Sequence, residues 1–458
     1  MKLWLSALLL ASCVMPLAAQ VAALPLLATN VVADTNALVI TPTFVSQLLA
    51  EARTNSPLLR AANARIEAAQ FGVAAVREWD DPQFTLGGTV FGARGMNPAQ
   101  QGDVIYGLEQ KLPFWKRPNL ARAVAAADVL TQQAELDYQT ELLRREILKT
   151  LVSAALAERL LELGDQDYAT IEALTAVMEQ RVRAGQATGV ELLQVMNEKS
   201  KSREKLKTDR ALVTNERENL NRLLNRAPAS PWPRIAFPNL SPPASGTLLM
   251  VYKQLQRDPK LVVMRQQRQQ SEALVAQSRS AHLPEVRVGV QGRQYSGDAG
   301  FREGMFTLSL NLPWGNAEKY RNDVRREAAK VKAAAAEIED YELMVREETH
   351  HILATVNAAR REALLYRDEI IPRTEVALSA ARTAWDAGTG GFRDVLETHR
   401  MLLEGRVMYA RAVAEQQQML ASHALHTRSV GFETPEEPGR KSAPPVKPLP
   451  PTVPQKNP

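Results

Sequence analysis

The sequence predicts a mainly helical protein that consists of two long coiled-coil hairpins and a small β part of four strands. Three observations predict this fold class: very long stretches of helical periodicity, four short stretches of alternating large apolar residues, and a glycine-rich turn that occurs twice. Aligning Gly185 of the first turn with Gly388 of the second places Glu191 on Asp394. A turn that recurs with its flanking residues indicates an internal duplication of the chain.

The composition favours a solvated helical protein and gives no indication of a nucleic-acid partner. Of the 458 residues, 23% are charged and 5% are aromatic, and the formal net charge of +5 comes from interspersed acids and bases. No compact basic cluster stands out, so a solvated helical surface is favoured over a nucleic-acid-binding surface. The only cysteine is Cys13, which excludes a disulfide bond within the chain.

The N-terminal segment has the pattern of a secretory signal. Lys2 is followed by a mostly apolar run that is too short to span a membrane as a helix. In one processing route, residues 1–23 are removed as a signal peptide. In the other, Leu10-Ala11-Ser12-Cys13, which resembles a bacterial lipobox, directs removal of residues 1–12 and lipidation of Cys13. Both routes remain open, and either one predicts an exported protein.

The first structural repeat is predicted to cover residues 24–225. Its elements are, in order, a helix from about Thr43 to Trp79, a β-hairpin at 82–112, a helix from about Arg117 to Arg183, the first turn at 184–190 and a return helix to about Asn225. A helix over 117–183 would be about 100 Å long. Because no compact domain holds so long a helix, the pattern predicts an extended coiled-coil element.

A proline-rich linker at 226–245 separates the first repeat from a second one at 246–430. The second repeat is predicted to contain a helix to about His282, a β-hairpin at 284–313, a long helix with a heptad seam, the second turn at 387–392 and a final helix. Pro372 is expected to kink the long helix. The tail at 431–458 is rich in proline and is predicted to be disordered.

The four predicted strands have the alternation and length of membrane-spanning strands. In the last of them Phe306, Leu308 and Leu310 alternate with Thr307 and Ser309. Four strands cannot close a barrel, and hydrocarbon does not tolerate an open sheet edge. Strands that span a membrane therefore require an oligomer, with eight strands from two chains or twelve from three. The alternative is a soluble pair of hairpins on a coiled-coil body.

The duplicated order, the proline-marked strands and both glycine turns resemble the TolC-like outer membrane factors of bacterial tripartite efflux pumps. This resemblance implies a homotrimer in outer membrane lipid, with one shared twelve-stranded transmembrane β-barrel and a long periplasmic helical tunnel. The segment 226–245 would lie in the equatorial region. Leu112-Pro113-Phe114-Trp115-Lys116-Arg117-Pro118 is most similar to the heavy-metal efflux branch of the family.

The function that this resemblance implies is a passive exit duct in the bacterial outer membrane. Such a channel belongs to a tripartite efflux pump or a type I secretion-like system and exports small molecules or metal ions. Its partners would be a periplasmic adaptor protein and an inner-membrane pump, expected to be of the proton-driven resistance-nodulation-division type. The alternative function is a secreted periplasmic coiled-coil adaptor or scaffold without a pore.

The resemblance also assigns roles to residues of the two turns. Gly185, Gly189, Gly388 and Gly391 would lie at the periplasmic tips that contact the adaptor. The aperture residues would be Asp394, Glu397, Glu191, Trp385 and Arg393. The family has a basic residue at the position of Gly390, which puts the usual gate ion pair in doubt unless Arg393 substitutes. Alternatively, Asp394 and Glu397 are solvated first-turn acids that favour the helix dipole.

No catalytic, cofactor or metal site is predicted. His350-His351 and the pair His423 and His426 lack a nearby cysteine or a second acid at ligand spacing, so they are interpreted as surface histidines. The sequence contains no phosphate-binding loop, nucleophile elbow or zinc motif. An enzyme is therefore not expected.

Overall fold

The structure is a computed structural model that describes residues 37–88, 102–242, 255–295, 297 and 300–428. The predicted signal segment with Cys13 and the tail at 431–458, which is predicted to be disordered, lie outside these residues. In the first half the elements are α1 (Pro42–Asn55), α2 (Pro57–Ala75), β1 (Gln83–Gly88), β2 (Asp103–Lys111), α3 (Arg117–Arg183) and α4 (Gly189–Leu224). In the second half they are α5 (Pro259–Ser280), β3 (Glu285–Tyr295), β4 (Phe301–Asn311), α6 (Ala317–Leu365), a π-turn (Tyr366–Ile370), α7 (Ile371–Asp386) and α8 (Phe392–Thr427).

The predicted fold class is confirmed, because long helical hairpins and one four-stranded sheet make up the described chain. The helix α3 is unbroken over 67 residues. None of the described helices is both long enough and apolar enough to cross a membrane.

The helices pack side by side in an arc, and each helix has different neighbours near the tips and away from them. Away from the tips, α2 packs on α3, α3 on α5, and α5 on α6. Toward the tips, α4 packs on α3, α3 on α8, and α8 on α6 and α7. The packing of α5 and α8 on α3 joins the two repeats. The helices at the ends of the arc are α2 and α6 away from the tips, and α4 and α7 toward the tips.

The four strands form one antiparallel sheet in the order β1-β2-β3-β4. The register aligns one apolar residue from each strand in a single row: Phe84, Leu108, Val290 and Phe306. All four of these side chains are exposed on one face of the sheet. The opposite face carries ion pairs such as Arg287 with Glu109 and Arg293 with Glu303.

Glycines allow close packing on the polar face of this sheet. A Cβ atom at Gly107 would lie 2.6 Å from Cγ of Gln291, and one at Gly289 would lie 2.6 Å from Oγ1 of Thr307. Side chains of neighbouring strands therefore occupy the space above these glycines. Crowding on one face and relief by glycine are typical of a curved sheet whose concave face is the crowded one.

The structure has two helices where the sequence analysis predicts a single helix from Thr43 to Trp79. The break lies at Ser56, which is extended (φ −63°, ψ 123°), and Pro57 begins the next helix. Because a residue before proline is disfavoured in the α conformation, this break follows from local sterics. Asp258 and Pro259 repeat the arrangement at the start of α5, where Asp258 accepts a hydrogen bond from the N–H of Leu261.

The described part of the proline-rich segment, residues 226–242, is fixed to the helices rather than free. Glu158 of α3 accepts hydrogen bonds from the backbone N–H of Ile235 and from Arg217, both at 2.8 Å. Trp232 donates to Asn221 at 2.7 Å, and both residues are buried. The segment thus adds buried apolar side chains to the main core between α3 and α4.

The backbone at Pro372 is accommodated by a π-turn just before it, over Tyr366–Ile370. Proline has no N–H to donate, and its ring clashes with the carbonyl four residues earlier in an α-helix. The structure therefore has a change of helix type at the position where the sequence predicts a kink.

We predict that Gly289→Val destabilises the sheet by about 1–3 kcal/mol, because the new side chain would overlap Thr307 and the carbonyl of Leu108. The matched control is Gly87→Val in β1, where a Cβ atom has no neighbour within 4 Å. Heat stability of the detergent-extracted protein, followed by circular dichroism, measures the difference. Equal melting temperatures for the two variants would contradict the crowded concave face.

Candidate functional site

The two glycine turns at the helical tips have the same backbone conformation. Gly185 and Gly388 have φ values of 72° and 71°, in the left-handed region where glycine is not strained. In the first turn the N–H of Gln186 donates to the carbonyl of Arg181 at 2.8 Å. In the second turn the N–H of Thr389 donates to the carbonyl of Ala384 at 2.9 Å. Both helices thus end in the same C-terminal capping motif.

The residues that follow each turn differ between the two repeats. Thr188 caps α4, and its hydroxyl accepts from the N–H of Glu191 at 3.3 Å. Glu191 returns the interaction by accepting from the N–H of Thr188 at 2.9 Å, which completes a capping box. At the equivalent position before α8 stands Gly391, which provides no side-chain cap. The carboxylate of Glu191 is therefore engaged in a helix cap.

An apolar cluster joins the tips of both hairpins. At its centre is Phe392, which is 1% exposed and lies 5.4 Å from the ring of Trp385 between centroids. The buried members are Ile171, Leu174, Met178, Val195, Phe392 and Leu396. Because these side chains come from α3, α4 and α8, the first and second tips form one packed unit.

Arg181, at the end of α3, clamps the end of α7. Its guanidinium carbon lies 3.8 Å from the centroid of the Trp385 ring, and a guanidinium nitrogen lies 2.8 Å from Oδ1 of Asp386. The same side chain donates to the carbonyl of Trp385 at 3.3 Å. The sequence analysis selected Trp385 but missed Arg181 and Asp386, because their contact joins residues that are far apart in the chain.

The structure gives a steric reason for the glycine at position 390. A Cβ atom there would lie 2.9 Å from Cβ of Ala384, and the N–H of Gly390 donates to the carbonyl of Ala384. This turn has no room for a basic side chain. The cation beside Trp385 is Arg181, whereas Arg393 is exposed.

Asp394 and Glu397 lie in the first turns of α8, and both side chains are exposed. Within the described residues neither carboxylate forms an ion pair. Gly185, Gly189, Gly388 and Gly391 are also exposed at the ends of the hairpins. The structure thus brings the predicted tip residues to one end of the helical arc, with the acids accessible to solvent.

A buried polar joint lies further along the hairpins from the tips. Asp167 of α3 bonds with Nε2 of His399 of α8 at 2.9 Å and accepts from the hydroxyl of Ser202 of α4 at 2.7 Å. Burial opposes ionisation of Asp167, but the hydrogen bonds from His399 and Ser202 outweigh it and hold the pKa of this carboxyl below its ordinary value. The joint therefore holds three helices of two repeats together.

Of the four histidines interpreted as surface residues, His426 is buried and His423 is half-buried, so the interpretation is wrong for this pair. His426 is 5% exposed, and its Nδ1 lies 2.7 Å from Oδ2 of the buried Asp258. Burial lowers the pKa of His423, whereas His350 and His351 are exposed. Within the described part of the chain, no group of three or more His, Cys, Asp or Glu residues could hold a metal ion. His423 and His426 of α8 are therefore interpreted as residues that contribute to the packing of the protein.

The exposed apolar face of the sheet and the long hairpins that pack together define a membrane-associated protein with an extended helical body. The family model described as outer membrane efflux protein matches residues 48–226 and 250–426. The chain therefore belongs to the outer membrane efflux protein family, and the predicted location in the bacterial outer membrane is confirmed.

Individual relatives have low sequence identity to this chain. The cobalt-zinc-cadmium resistance protein CzcC of Cupriavidus metallidurans is 23% identical over 273 residues, which are 58% of this chain and 63% of that protein. The structure of CusC superposes with a TM-score of 0.73 at 17% identity and covers 84% of this chain and 91% of CusC. The structure of VceC from Vibrio cholerae has a TM-score of 0.69 at 16% identity and covers 85% and 96% of the two chains. These structural likenesses show a shared fold.

We predict that the part of the helical hairpins around Asp167 loses stability in acid, because the carboxyl of Asp167 becomes protonated there. Since the folded-state pKa of Asp167 is depressed, its stabilising contribution is present above the ordinary carboxyl value of about 3.9 and is lost as the pH falls through the lowered value. Hydrogen-exchange protection of residues 163–175 should be constant between about pH 7 and 5 and decrease below about pH 4.

Asp167→Asn should lower this protection already at pH 7, by about 1–3 kcal/mol, because it removes a charged hydrogen-bond acceptor. The matched control is Asp165→Asn, two residues away, since Asp165 is exposed and lies 3.5 Å from Arg210. If both variants retain the protection of the unmodified protein, Asp167 does not hold the joint.

Proposed function

We propose that this protein is a passive exit duct of the outer membrane, formed by three copies of the chain. The observation that carries this proposal is the four-stranded sheet with one exposed apolar face, one polar face and two outer strands. In hydrocarbon, every backbone N–H and C=O needs a partner, and the unpaired edges of β1 and β4 would lack one. Pairing β4 of one copy with β1 of the next supplies these partners.

The helical arc supports closure by identical copies. Within one chain, α8 of the second repeat packs on α3 of the first. By the internal duplication, the equivalent contact places α4 of one copy against α6 and α7 of the next. The ends of the arc carry the exposed apolar side chains that such contacts would bury: Leu58, Phe71, Val190, Leu193, Met196, Leu343, Leu365 and Val376. In a ring of copies, first and second repeats would then alternate, and their helices would enclose a tunnel.

The strand count allows two or three copies, and the family resemblance selects three. Two copies would supply eight strands and three would supply twelve, and a barrel can close with either number. Three copies agree with the trimer that the resemblance implies. The polar face of the sheet, which is crowded and relieved by glycines, would line the lumen.

The tips are the proposed gate and docking site. The turn residues Gly185, Gly189, Gly388 and Gly391 would contact a periplasmic adaptor, and an inner-membrane pump of the resistance-nodulation-division type would supply the energy. Asp394 and Glu397 are exposed near the tip, so three copies would place six carboxylates around the aperture. Such rings concentrate negative potential and favour cations. Trp385 and the Arg181–Asp386 ion pair would hold the closed arrangement.

For the exported cargo we propose metal cations. The likeness to CzcC, which is described as a cobalt-zinc-cadmium resistance protein, supports this cargo class. The exposed acids of the tip support it independently, because a ring of carboxylates attracts divalent cations. The cognate pump would select among the ions.

We predict that Arg181→Ala shifts the channel toward its open state. The substitution removes the contact with Trp385 and a half-exposed ion pair with Asp386, together worth about 1 kcal/mol per copy, or about fivefold in the open–closed equilibrium. Single-channel recording in planar bilayers measures the open fraction. Arg183→Ala is the matched control, since Arg183 is exposed and contacts Glu179 at 3.8 Å. Absence of both heat-resistant trimers and conductance would overturn the duct itself.

We predict that Asp394→Asn combined with Glu397→Gln reduces cation selectivity. The neutral amides keep the shape of the acids but remove their charge, so the reversal potential in a KCl gradient should move toward that of an unselective pore, and block by Zn²⁺ should weaken. Glu404→Gln is the control, because Glu404 is also exposed on α8 but lies farther from the tip. Unchanged selectivity and block in the double variant would assign these acids to the helix dipole instead.

A further inference from the structure

Inside the chain, the start of α3 docks on the end of α5 at the level where the helices meet the sheet. Arg117 donates to the carbonyl of Leu283 at 2.6 Å and pairs with Glu285 at the start of β3. The same guanidinium donates to the carbonyls of Ser280 and Ala281 at 3.1 and 3.2 Å. A cation is favourable here, because the last carbonyls of a helix carry partial negative charge. One side chain of the first repeat thus holds the junction between a helix and a strand of the second.

The internal duplication predicts a second junction of this kind, between copies. A shift of 202 residues matches proline with proline before the strands and one apolar residue with another in the long helices: Pro284 with Pro82, and Ile338 with Leu136. The same shift matches Arg117 with Lys319, the third residue of α6. Since β4 and β1 are the outer strands of the sheet, the start of α6 and the end of α2 belong to opposite edges of one chain.

The start of α6 presents a cation and an aromatic ring to the outside. Lys319 is exposed, and among the described residues no carboxylate pairs with it. Its ammonium lies 5.7 Å from the ring centroid of the neighbouring Tyr320. Trp314, in the turn between β4 and α6, is 68% exposed. This end of the chain therefore has the counterpart of Arg117 but no partner for it.

The end of α2 has the complementary character. Its last turn contains no basic residue, so the partial negative charge of its last carbonyls has no cation beside it. Glu78 and Asp81 follow α2, both exposed, at the positions that match Ser280 and Leu283 beside Arg117. The nearest cation to Asp81 is Arg77 at 3.9 Å, and both side chains are almost fully exposed. The end of α2 thus presents carboxylates where the end of α5 presents carbonyls to a cation.

The acids and the cations of the two junctions differ together. Gln83 stands at the position that matches Glu285, so the outer junction has no acid at the start of the strand. Its acids, Glu78 and Asp81, lie before the strand instead. The planar fork of arginine suits several directed carbonyls, whereas lysine is a compact charge on a flexible stem that suits nearby carboxylates. Each cation therefore matches the acceptors that the duplication places opposite it.

We propose that Lys319 at the start of α6 docks on the end of α2 of the next copy, where it pairs with Glu78 and Asp81. The occupant of this surface is a second copy of the chain, because its own α2 carries the opposite charge and lacks a cation. The docking rests on the proposed duct, since it requires that β4 of one copy pairs with β1 of the next. It also separates the two junctions chemically, with arginine on carbonyls inside the chain and lysine on carboxylates between chains, so that copies join in one register.

The rate at which detergent-extracted trimers dissociate at a raised temperature, followed by size-exclusion chromatography, tests this docking. Lys319→Glu should accelerate dissociation by about tenfold, because each junction loses an ion pair and gains a repulsion. Glu78→Lys combined with Asp81→Lys should have an effect of similar size. The three substitutions together should restore most of the stability of the trimer, since they exchange the charges across the junction.

The matched control is Lys332→Glu, which makes the same charge change on α6 about 20 Å farther from the sheet. Lys332 is exposed, and no ion pair holds it within the part of the chain that the structure describes. This substitution should leave the dissociation rate unchanged and should not rescue the variant with Glu78→Lys and Asp81→Lys. Circular dichroism of each variant checks that the helices are folded.

Three results would contradict the proposal in different ways. An effect of Lys319→Glu that the acid variant neither reproduces nor rescues would assign the lysine to another anion, such as a lipid phosphate, and overturn the docking. Trimers that dissociate at the same rate in every variant would overturn the docking and leave the duct intact. Absence of trimers in the unmodified protein would refute the duct itself, and the docking with it.

Discussion

The need to pair every backbone hydrogen-bonding group inside a lipid bilayer determines the rest of this structure. One chain supplies four strands with an apolar face for lipid and a polar face for water, but it cannot close them. Closure must come from copies, and closure by copies imposes rotational symmetry on everything attached to the strands. The helical arc is also suited to a symmetric ring of copies, since its two ends expose the apolar side chains that a ring would cover.

The internal duplication explains the common plan of the two hairpins, and the differences between the repeats indicate where they depart from it. Thr188 and Glu191 cap the helix after the first turn, whereas Gly391 leaves the second without a side-chain cap. The helix α3 is continuous, whereas its counterpart is divided by the π-turn before Pro372. In each comparison the second hairpin is the less restrained one. In the proposed duct, a continuous helix in the first hairpin beside a divided one in the second would suit a tunnel end that must both seal and open.

Much of the fold could be predicted from the sequence because its elements are set by local patterns. A helical period maintained over 117–183, alternation in the strands and glycine at a left-handed turn depend on residues close together in the chain. The contacts of the candidate site depend instead on residues that are far apart in the chain. Arg181 meets Trp385 and Asp386 because α7 packs on α8 and α8 packs on α3, and no local pattern specifies that packing. His426 likewise bonds to Asp258, which precedes a different helix and lies far from His426 in the chain.

The charge at the tip follows from these long-range contacts. The close approach of Gly390 to Ala384 excludes a basic side chain from the second turn, and Arg181 occupies the place beside Trp385 instead. Since Asp386 already neutralises Arg181, that cation cannot also offset Asp394 and Glu397. Within the described residues these two acids therefore keep their negative charge uncompensated. In the proposed symmetric trimer the uncompensated charges would add at the axis, so the steric demand of one glycine turn would determine the sign of the potential at the proposed aperture.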